Sequence, residues 1–426
     1  MGRVTLFLYN LLFLPALLLL LPGYLLRIRK RGGYGHKAAQ RLGLLDRETL
    51  GRIGMGRIWI HAVSVGEVGI ALKFIREFHR IHPDARFLVS STTSTGLAIL
   101  ERSSSPWLEP IANPVDFPVI TGRLLRRLRP SALLFVEADL WPNRVAAAKK
   151  LGIPVVLLNA RLSCRSERRF RMLGPFACAW FNQLDLITLS DDEDRDRFLS
   201  LGIRPDILRV TGNIKHDSPC TPWSPQTEMP LLLAASTHAG EEEEIAKAYL
   251  ALQNEHPDLR LVIAPRHAER RQEIRQVLAA LGLPCHFRSE GGSPSADPLL
   301  LDTTGELYSW LPGATVVFVG KSLPNSVNKG GQNMIEPLQA GAPVLIGPHT
   351  GNFEPLATHL CKAGAAIRVI DHREIVAAVR SLLAADANRA AMITAANDVL
   401  KPHQGAARRN CGLIERLMGG SPLHPS

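Results

Sequence analysis

Residues 57–91 read RIWIHAVSVGEVGIALKFIREFHRIHPDARFLVSS and contain the unit from which the fold follows. Two short apolar runs, Arg57–Ala62 and Arg86–Ser91, have the composition of buried strands. The segment between them carries apolar residues at helical spacing, namely Ala71, Leu72, Ile75 and Phe78. The helical pattern ends before Pro83, which cannot continue a helix. This strand, helix, strand order predicts a parallel sheet covered by helices.

The same alternation continues on both sides of a proline-rich stretch. That stretch, DSPCTPWSPQTEMP at residues 217–230, is typical of an interdomain linker because proline disrupts helices and central strands. Further strands are predicted at Ala132–Val136, Pro154–Asn159, Leu184–Leu189, Leu231–Ala235, Leu259–Ala264, Leu299–Asp302, Thr315–Gly320, Pro343–Gly347 and Ala366–Ile370. The sequence therefore predicts an α/β protein with two doubly wound, Rossmann-like domains in tandem.

The chain of 426 residues is long enough for two domains and short extensions. We expect a membrane anchor with a basic flank over 1–30 and an N-terminal Rossmann-like domain over 31–217. A linker over 218–230 follows, then a C-terminal Rossmann-like domain over 231–418 and a tail over 419–426.

The net charge of +11 favours an anionic partner, which can be a phospholipid surface, a phosphorylated substrate or a nucleic acid. Nucleic acid is disfavoured, because only 6% of the residues are aromatic and no recognised module combines them with the basic residues. The six cysteines are scattered without the paired spacing of a zinc or dithiol site, which is typical of a reducing compartment.

The amino terminus predicts membrane attachment. The run LFLYNLLFLPALLLLLPGYLL, residues 6–26, has no charged side chain and is long enough to cross a hydrocarbon core of roughly 30 Å. Arg27, Arg29, Lys30 and Arg31 follow it, which places the body of the protein in the cytoplasm by the positive-inside rule. A signal peptide fits less well, since no small-residue cleavage site follows. Pro15, Pro22 and Gly23 leave open a segment lying in the interface.

Ligands of open parallel sheets bind outside the carboxyl ends of the strands, so polar residues that follow the predicted strands are candidate site residues. In the first half, Glu67 stands at a helix start, as a general base or as a partner of the helix dipole. Glu137 and Asp139 follow another strand and fit either an acceptor site or helix capping. Arg161 precedes a basic run at Arg165, Arg168, Arg169 and Arg171, which fits a solvated face or binding to lipid phosphates.

The second half offers groups suited to a phosphate. Ser236, Thr237 and His238 lie between a strand and a helix, and Arg266 ends the next strand. In GGQNMIEP, residues 330–337, glycines permit close backbone approach, Asn333 opens a helix, and Glu336 suits ribose hydroxyls. The spacing of Asn333 and Glu336 is also that of a capping box, so both interpretations remain open.

Nine sequence blocks, in order, resemble the 3-deoxy-D-manno-octulosonic acid (Kdo) transferase family of lipopolysaccharide synthesis. They are HAVSVGE (61–67), SSTTSTG (90–96), VEADLWPN (136–143), NARLSCRS (159–166), VTGNIKHD (210–217), STHAGEE (236–242), PRHAER (265–270), GGQNMIEP (330–337) and GPHTGNF (347–353). Their common order along most of the chain is far more specific than any single block.

The resemblance implies a GT-B type fold, in which two Rossmann-like domains face a cleft. It implies an inverting transfer of Kdo from CMP-Kdo to a glucosamine hydroxyl of a lipid A precursor (lipid IVA), without a metal or other cofactor, at the cytoplasmic side of the inner membrane. Glu67 is then the candidate general base. Acceptor binding is expected at Glu137, Asp139, Arg161 and Ser94. Donor binding is expected at Lys215, Ser236, Thr237, His238, Arg266, Gly331, Asn333 and Glu336.

The chain departs from the family pattern at two positions. Gly320-Lys321 stands where the family tends to have a glycine pair, and Gln332 stands where histidine is common. Lys321 is therefore an additional candidate cation near the donor. Two other hypotheses remain, a transferase of the same fold that uses a UDP-sugar and a nucleotide-sugar epimerase. The anchor and the basic face argue against an epimerase, because a soluble sugar nucleotide requires neither.

Overall fold

The computed structural model of the chain describes residues 4–13, 15, 19, 35–162, 164–221, 229–293, 295, 297–351, 353–354 and 356–420. The chain forms two compact units. The first comprises Met1–Asp217 together with His403–Ser426, and the second comprises Ser218–Pro402.

The first unit is built on a sheet of seven strands. They are β1 Ile58–Ala62, β2 Phe87–Ser91, β3 Leu108–Ala112, β4 Ala132–Val136, β5 Val155–Ala160, β6 Leu186–Leu189 and β7 Leu208–Val210. The order in the sheet is β3-β2-β1-β4-β5-β6-β7, and every neighbouring pair is parallel. Ile58 of β1 is in register with Phe87 of β2 and with Ala132 of β4.

Eight helices accompany these strands: α1 Arg47–Ile53, α2 Val65–Ile81, α3 Ser94–Arg102, α4 Pro118–Leu128, α5 Pro142–Lys150, α6 Cys164–Leu173, α7 Pro175–Phe181 and α8 Asp192–Ser200. Local sequence fixes where they begin. The Ser64, Thr93 and Asp191 side chains accept hydrogen bonds at the amino termini of α2, α3 and α8, while α4 and α5 begin with proline.

Helices bury both faces of the first sheet. On one face Ile60 packs in a cluster with Phe74 of α2, and on the other Trp59 packs with Leu125 of α4. A strand covered on both faces has no reason to alternate polar and apolar residues. The continuous apolar runs of the sequence follow from this arrangement.

The second unit repeats the architecture. Its strands are β8 Leu231–Thr237, β9 Arg260–Pro265, β10 His286–Phe287, β11 Leu299–Leu300, β12 Val316–Val319, β13 Val344–Ile346 and β14 Ala366–Arg368. They form a parallel sheet in the order β10-β11-β9-β8-β12-β13-β14. Its helices are α9 Glu241–Gln253, α10 Arg271–Ala280, α11 Leu307–Trp310, α12 Ile335–Gln339, α13 Leu356–Lys362, α14 His372–Ala384 and α15 Asp386–Leu400. The prediction of two parallel α/β domains is confirmed.

The last helix, α16 Ala406–Met418, belongs to the first unit. This differs from the sequence-based boundary, which assigns the chain to the second domain as far as residue 418. Ala407, Cys411 and Ile414 are buried in the cluster that also contains Ile75 of α2. Asp217 fixes the entry of the helix, because its carboxylate accepts from the backbone N–H groups of residues 405 and 407, both at 2.6 Å. The apolar face of α16 thus covers α2.

A short helical segment at residues 4–13 lies on the first unit. The Tyr9 hydroxyl donates to Asp116 Oδ2 at 3.2 Å, and the Asn10 and Asn143 side-chain amides exchange two hydrogen bonds, at 3.0 and 2.8 Å. Several apolar side chains of the segment stay 58–68% exposed, namely Val4, Phe7, Leu11 and Leu12. Its polar side is therefore fixed to the body while apolar side chains face outward.

The predicted anchor at residues 6–26 and its basic flank lie largely outside the described residues. Within the part of the chain that is described, we find no helix with both the length and the apolarity required for crossing a membrane.

The packing of α16 can be tested by shortening one side chain. Ile414 is fully buried, so Ile414→Ala should lower the free energy of unfolding by about 2–4 kcal/mol through lost burial and a residual cavity. Arg416→Ala, on the exposed side of the same helix, should change it by less than about 0.5 kcal/mol. Urea unfolding followed by tryptophan fluorescence measures both, and equal effects would contradict the packing described.

Candidate active site

In each sheet the strand order reverses at the centre, between β1 and β4 in the first unit and between β8 and β12 in the second. Loops that leave two such neighbouring strands diverge to opposite faces and leave a crevice at the carboxyl edge. Glu67 follows β1 and Glu137 follows β4. Ser236 is the penultimate residue of β8, and Lys321 follows β12. Candidate residues from distant parts of the sequence therefore meet at the reversal point of each unit.

Glu67 lies in the first turn of α2, where its carboxylate folds back on the residues that precede the helix. Oε2 accepts from the Val63 backbone N–H at 2.6 Å, and Oε1 accepts from the Ser64 hydroxyl at 3.0 Å. Ser64 Oγ in turn accepts from the Glu67 backbone N–H at 3.4 Å. This reciprocal arrangement is a variant of the capping box, in which the carboxylate reaches the N–H of the residue before the N-cap. These hydrogen bonds hold the carboxylate in one position.

The same carboxylate is also unusually basic. Burial raises the pKa of Glu67 to about 7, and the negative charges of Asp139 and Glu137 act in the same direction. The hydrogen bonds from Val63 and Ser64 oppose this shift but do not cancel it. A carboxyl group with a pKa near the working pH is suited to accept a proton from a substrate. Capping and catalysis are therefore compatible roles for Glu67.

Glu67, Glu137 and Asp139 form an acid cluster in the first unit. Glu137 has a φ angle of 61°, in the left-handed region that non-glycine residues rarely adopt. Burial, followed by the charge of Glu137, raises the pKa of Asp139. Mutual proximity of three carboxyl groups disfavours their simultaneous ionisation.

Lys215 supplies the cation of this cluster. Its Nζ lies 2.6 Å from Glu137 Oε1, and it would be 3.8 Å from a Cβ placed on Gly66, the neighbour of Glu67. The sequence predicts Lys215 as a donor-binding residue. The structure places it in the first unit, beside Glu137, and the donor role stays a prediction.

Two asparagines build the turn that presents Lys215. The turn, Ile214–His216, begins at Asn213, whose side-chain oxygen accepts from the Lys215 backbone N–H at 3.0 Å. Asn159, with a φ of 55°, accepts from the Ile214 backbone N–H at 2.7 Å. Lys73 Nζ donates to the Lys215 carbonyl at 2.8 Å. The lysine is therefore held from three elements.

The other predicted acceptor residues lie around the same edge. Ser94 is the first residue of α3, and the loop before it contacts the Glu67 loop, because Thr93 N–H donates to the Val63 carbonyl at 3.2 Å. Arg161 follows β5, and its charge lowers the pKa of Asp194 against the stronger raising effect of burial. In the basic run, the Arg165 and Arg169 side chains lie outside the described residues, while Arg171 pairs with Glu167 at 2.8 Å.

In the second unit a buried glutamate organises the loops at the reversal point. Glu241, the first residue of α9, is completely buried. Its Oε2 accepts from the backbone N–H groups of His238 and Lys321 at 2.9 and 2.7 Å. Its Oε1 accepts from those of Ser322 and Leu323 at 2.8 and 3.1 Å. One carboxylate thus ties the loop after β8 to the loop after β12. We call residues 236–241, 320–323 and 330–333 the second-unit loops.

The imidazole of His238 is surrounded by cationic side chains. The pKa of His238 is lowered to about 4 by burial together with the charges of Lys321, His267, Arg270 and Arg266. Its two ring nitrogens lie 3.3 Å from the Asn328 amide nitrogen and 3.2 Å from that of Gln332. A neutral histidine among cations marks a region of positive potential, which favours an anionic ligand.

The remaining predicted donor residues line the same loops. Ser236 has a φ of 55°, and the buried Thr237 hydroxyl has no hydrogen-bond partner among the described residues. The Gly331 backbone N–H donates to the Lys321 carbonyl at 2.8 Å. Asn333 accepts from the Ile335 N–H at 3.0 Å at the start of α12, and Glu336 is half-buried in its first turn.

Sequence reasoning missed two residues that organise these sites. Glu241 is one of four consecutive glutamates, and nothing in that run distinguishes it. Asn213 resembles an ordinary loop residue, although an asparagine before a short turn is a capping signal that could have identified it.

The first unit holds a basic carboxylate, and the second holds loops with positive potential. A glycosyltransferase that uses a nucleotide sugar requires both kinds of group.

Comparison with known proteins specifies the family. A sequence profile described as 3-Deoxy-D-manno-octulosonic-acid transferase (kdotransferase) matches residues 28–218. The 3-deoxy-D-manno-octulosonic acid transferase of Bordetella pertussis is 35% identical over 386 residues, covering 85% of this chain and 87% of that protein. That of Chlamydophila psittaci is 30% identical, covering 91% and 90%. The chain belongs to the 3-deoxy-D-manno-octulosonic acid transferase family, and it is a glycosyltransferase, as the sequence predicts.

A solved structure of UDP-GlcNAc 2-epimerase from Neisseria meningitidis, bound to UDP-GlcNAc, is similar with a TM-score of 0.59. The alignment covers 86% of this chain and 100% of the epimerase chain, at 15% sequence identity. At that identity the similarity concerns the fold, and it carries no information about the reaction.

The role of Lys215 predicts a change in pH dependence. Lys215 offsets the charge of Glu137, which raises the pKa of Glu67. Lys215→Met should therefore raise that pKa further and move the acid limb of the pH–rate profile upward by about half a unit or more. Lys215→Arg should leave the limb in place.

Lys149 provides a matched control. It pairs with Asp185 at 2.6 Å, and the two side chains are 39% and 25% exposed, against 40% and 25% for Lys215 and Glu137. Lys149→Met should leave the acid limb unchanged. A rise in the donor KM without movement of the limb would instead assign Lys215 to the donor and contradict the role described.

Proposed function

We propose that this enzyme is an inverting transferase that moves Kdo from CMP-Kdo to a glucosamine hydroxyl of a lipid A precursor in lipopolysaccharide synthesis. The observation that carries the proposal is the raised pKa of Glu67 in a fixed capping geometry at the reversal point of the first sheet. Family membership supports Kdo as the transferred sugar. The acceptor-binding roles of Glu137, Asp139, Arg161 and Ser94 are part of the proposal.

The reaction needs one proton transfer and one displacement. The Glu67 carboxylate takes the proton of the acceptor hydroxyl while the hydroxyl oxygen forms a bond to the anomeric carbon of Kdo. The bond from that carbon to the CMP phosphate oxygen breaks, and its electron pair leaves with CMP. Attack on the face opposite CMP inverts the anomeric configuration.

Negative charge that develops on the departing phosphate needs hydrogen-bond donors and cations. The second-unit loops offer the Thr237 and Ser236 hydroxyls, and the exposed Arg266 guanidinium follows the neighbouring strand β9. Our proposal includes no metal ion, so a chelator should leave the rate unchanged. Loss of one such donor typically costs about 10²–10³-fold in rate.

We also propose that the enzyme works at the cytoplasmic face of the inner membrane, which holds the lipid acceptor and offers an anionic surface. The exposed Phe7, Leu11 and Leu12 side chains support this, because a fixed segment with apolar side chains outward is suited to lipid. The net charge of +11 acts in the same direction.

Substitution of the base tests the proposed reaction. Glu67→Gln keeps the size and part of the capping geometry but cannot accept the proton. We expect turnover to fall at least about 100-fold. CMP should still raise the melting temperature, since the predicted donor-binding residues other than Lys215 lie in the other unit. Mass analysis of the product from CMP-Kdo and lipid IVA measures turnover, and full activity would exclude Glu67 as the base.

The wild-type rate should rise with pH through about 7, as Glu67 loses its proton.

The ionisation of Glu67 also affects the stability of the folded protein in a direction that its raised pKa determines. Its pKa in the folded state exceeds the ordinary 4.5, so ionisation costs stability, and this cost is absent below 4.5 and complete above about 7. Relative to wild type, Glu67→Gln should therefore gain stability between about pH 5 and about pH 8. An unchanged difference in melting temperature would contradict the environment described for Glu67.

Nucleotide preference separates this proposal from a UDP-sugar transferase of the same fold. CMP should raise the melting temperature more than UDP at equal concentration, because the ligand with the higher affinity stabilises the folded state more. A larger shift with UDP would contradict CMP-Kdo as the donor.

A further inference from the structure

Lys321 adopts a backbone conformation that suits glycine better. Its φ angle is 62°, in the left-handed region where a side chain adds strain. The residue before it is Gly320, so the strained position directly follows a glycine. An observed outlier of this kind, at a ligand-binding edge, is a reason to look for a function of the side chain.

The conformation is fixed from both sides. The Lys321 backbone N–H donates to Glu241 Oε2 at 2.7 Å, and its carbonyl accepts from the Gly331 N–H at 2.8 Å. Gly320 packs closely against the end of β8, since a Cβ there would lie 2.5 Å from the Ser236 carbonyl oxygen. The loop is therefore packed tightly against the end of β8, and Lys321 cannot relax while those contacts persist.

Lys321 lies beside His238, because both residues donate a backbone N–H to Glu241 Oε2. Arg270, a further cation near His238, is neutralised by Glu242 and Glu273 at 2.8 Å each. No described carboxylate lies within ion-pair distance of the Lys321 ammonium. A half-buried cation without a counter-ion is thus held at the carboxyl edge of β12.

We propose that the Lys321 ammonium binds an anionic oxygen group of the nucleotide-sugar donor, and that the strained backbone is retained because it aims this cation at the donor. The inference rests on the proposed function, because the donor is taken to be CMP-Kdo. That donor carries a phosphate and a sugar carboxylate, and either could be the partner of a lysine.

Binding measurements with Lys321→Gln distinguish the two anions. If the phosphate is the partner, the affinity for CMP should fall about 10-fold or more while that for cytidine is unchanged. If the carboxylate is the partner, CMP affinity should be unchanged and the KM for CMP-Kdo should rise by a similar factor. Lys321→Arg should restore most of either loss. Unchanged CMP affinity together with unchanged KM would overturn the inference.

Lys321→Gly separates charge from strain. It should bind the donor as weakly as Lys321→Gln, yet melt about 2 °C higher than Lys321→Gln because glycine adopts the left-handed conformation without strain. Lys362→Gln, at the exposed end of α13 in the same unit, removes an equal charge and should change neither affinity nor KM. An equal loss of affinity in Lys362→Gln would show that the loss comes from the lower net charge alone, and would overturn the inference.

The outcome can be told apart from failure of the proposed function. Wild-type turnover of CMP-Kdo tests that function, whereas the ratio of variant to wild type tests Lys321. If the wild type transfers Kdo and Lys321→Gln matches it, only the inference fails. If the wild type binds UDP instead, UDP and uridine replace CMP and cytidine in the same comparison.

Discussion

The reversal of strand order at the centre of each parallel sheet determines where everything else can lie. Because β1 and β4 are hydrogen-bonded neighbours whose outgoing chains diverge, Glu67 and Glu137 meet although they are far apart in sequence. The same constraint joins the loops after β8 and β12 in the second unit. Each reversal creates a crevice bordered by loop backbone, whose N–H and C=O groups need hydrogen-bond partners. The two units provide these partners in different ways.

Two glutamates at equivalent positions illustrate the difference. Glu67 and Glu241 both follow glycine at the start of the helix after the first strand of a unit, and in sequence they look alike. Glu241 accepts four backbone N–H groups, which occupy both carboxylate oxygens and leave it a structural role. Glu67 receives one backbone N–H and one hydroxyl, and burial together with the charges of Asp139 and Glu137 raises its pKa. The number of hydrogen bonds that the carboxylate accepts, rather than residue type, separates a loop organiser from a candidate base.

The sequence predicts the strands at the sheet centres well, because a strand buried on both faces must be continuously apolar. It misses β3, β7 and β10, all at sheet edges, where a short strand such as LEPIA can include Glu109 and a proline. Candidate site residues directly after central strands, such as Glu67, are likewise predictable from the sequence. The contact between Lys215 and Glu137 is not predictable, because it depends on a turn that Asn159 and Asn213 hold in place.

Strain is concentrated where these loops turn. Of the five non-glycine residues described with a positive φ, Arg129 caps the end of α4, and the other four lie at the carboxyl ends of strands, namely Glu137, Asn159, Ser236 and Lys321. Each such residue costs about 1–2 kcal/mol, which selection for stability alone would remove by substituting glycine. Asn159 offsets the cost with its own hydrogen bond to the Ile214 backbone, and Glu137 with its ion pair. Lys321 has no such side-chain compensation among the described residues, and the strain at this position is the observation from which we infer a role in binding the donor.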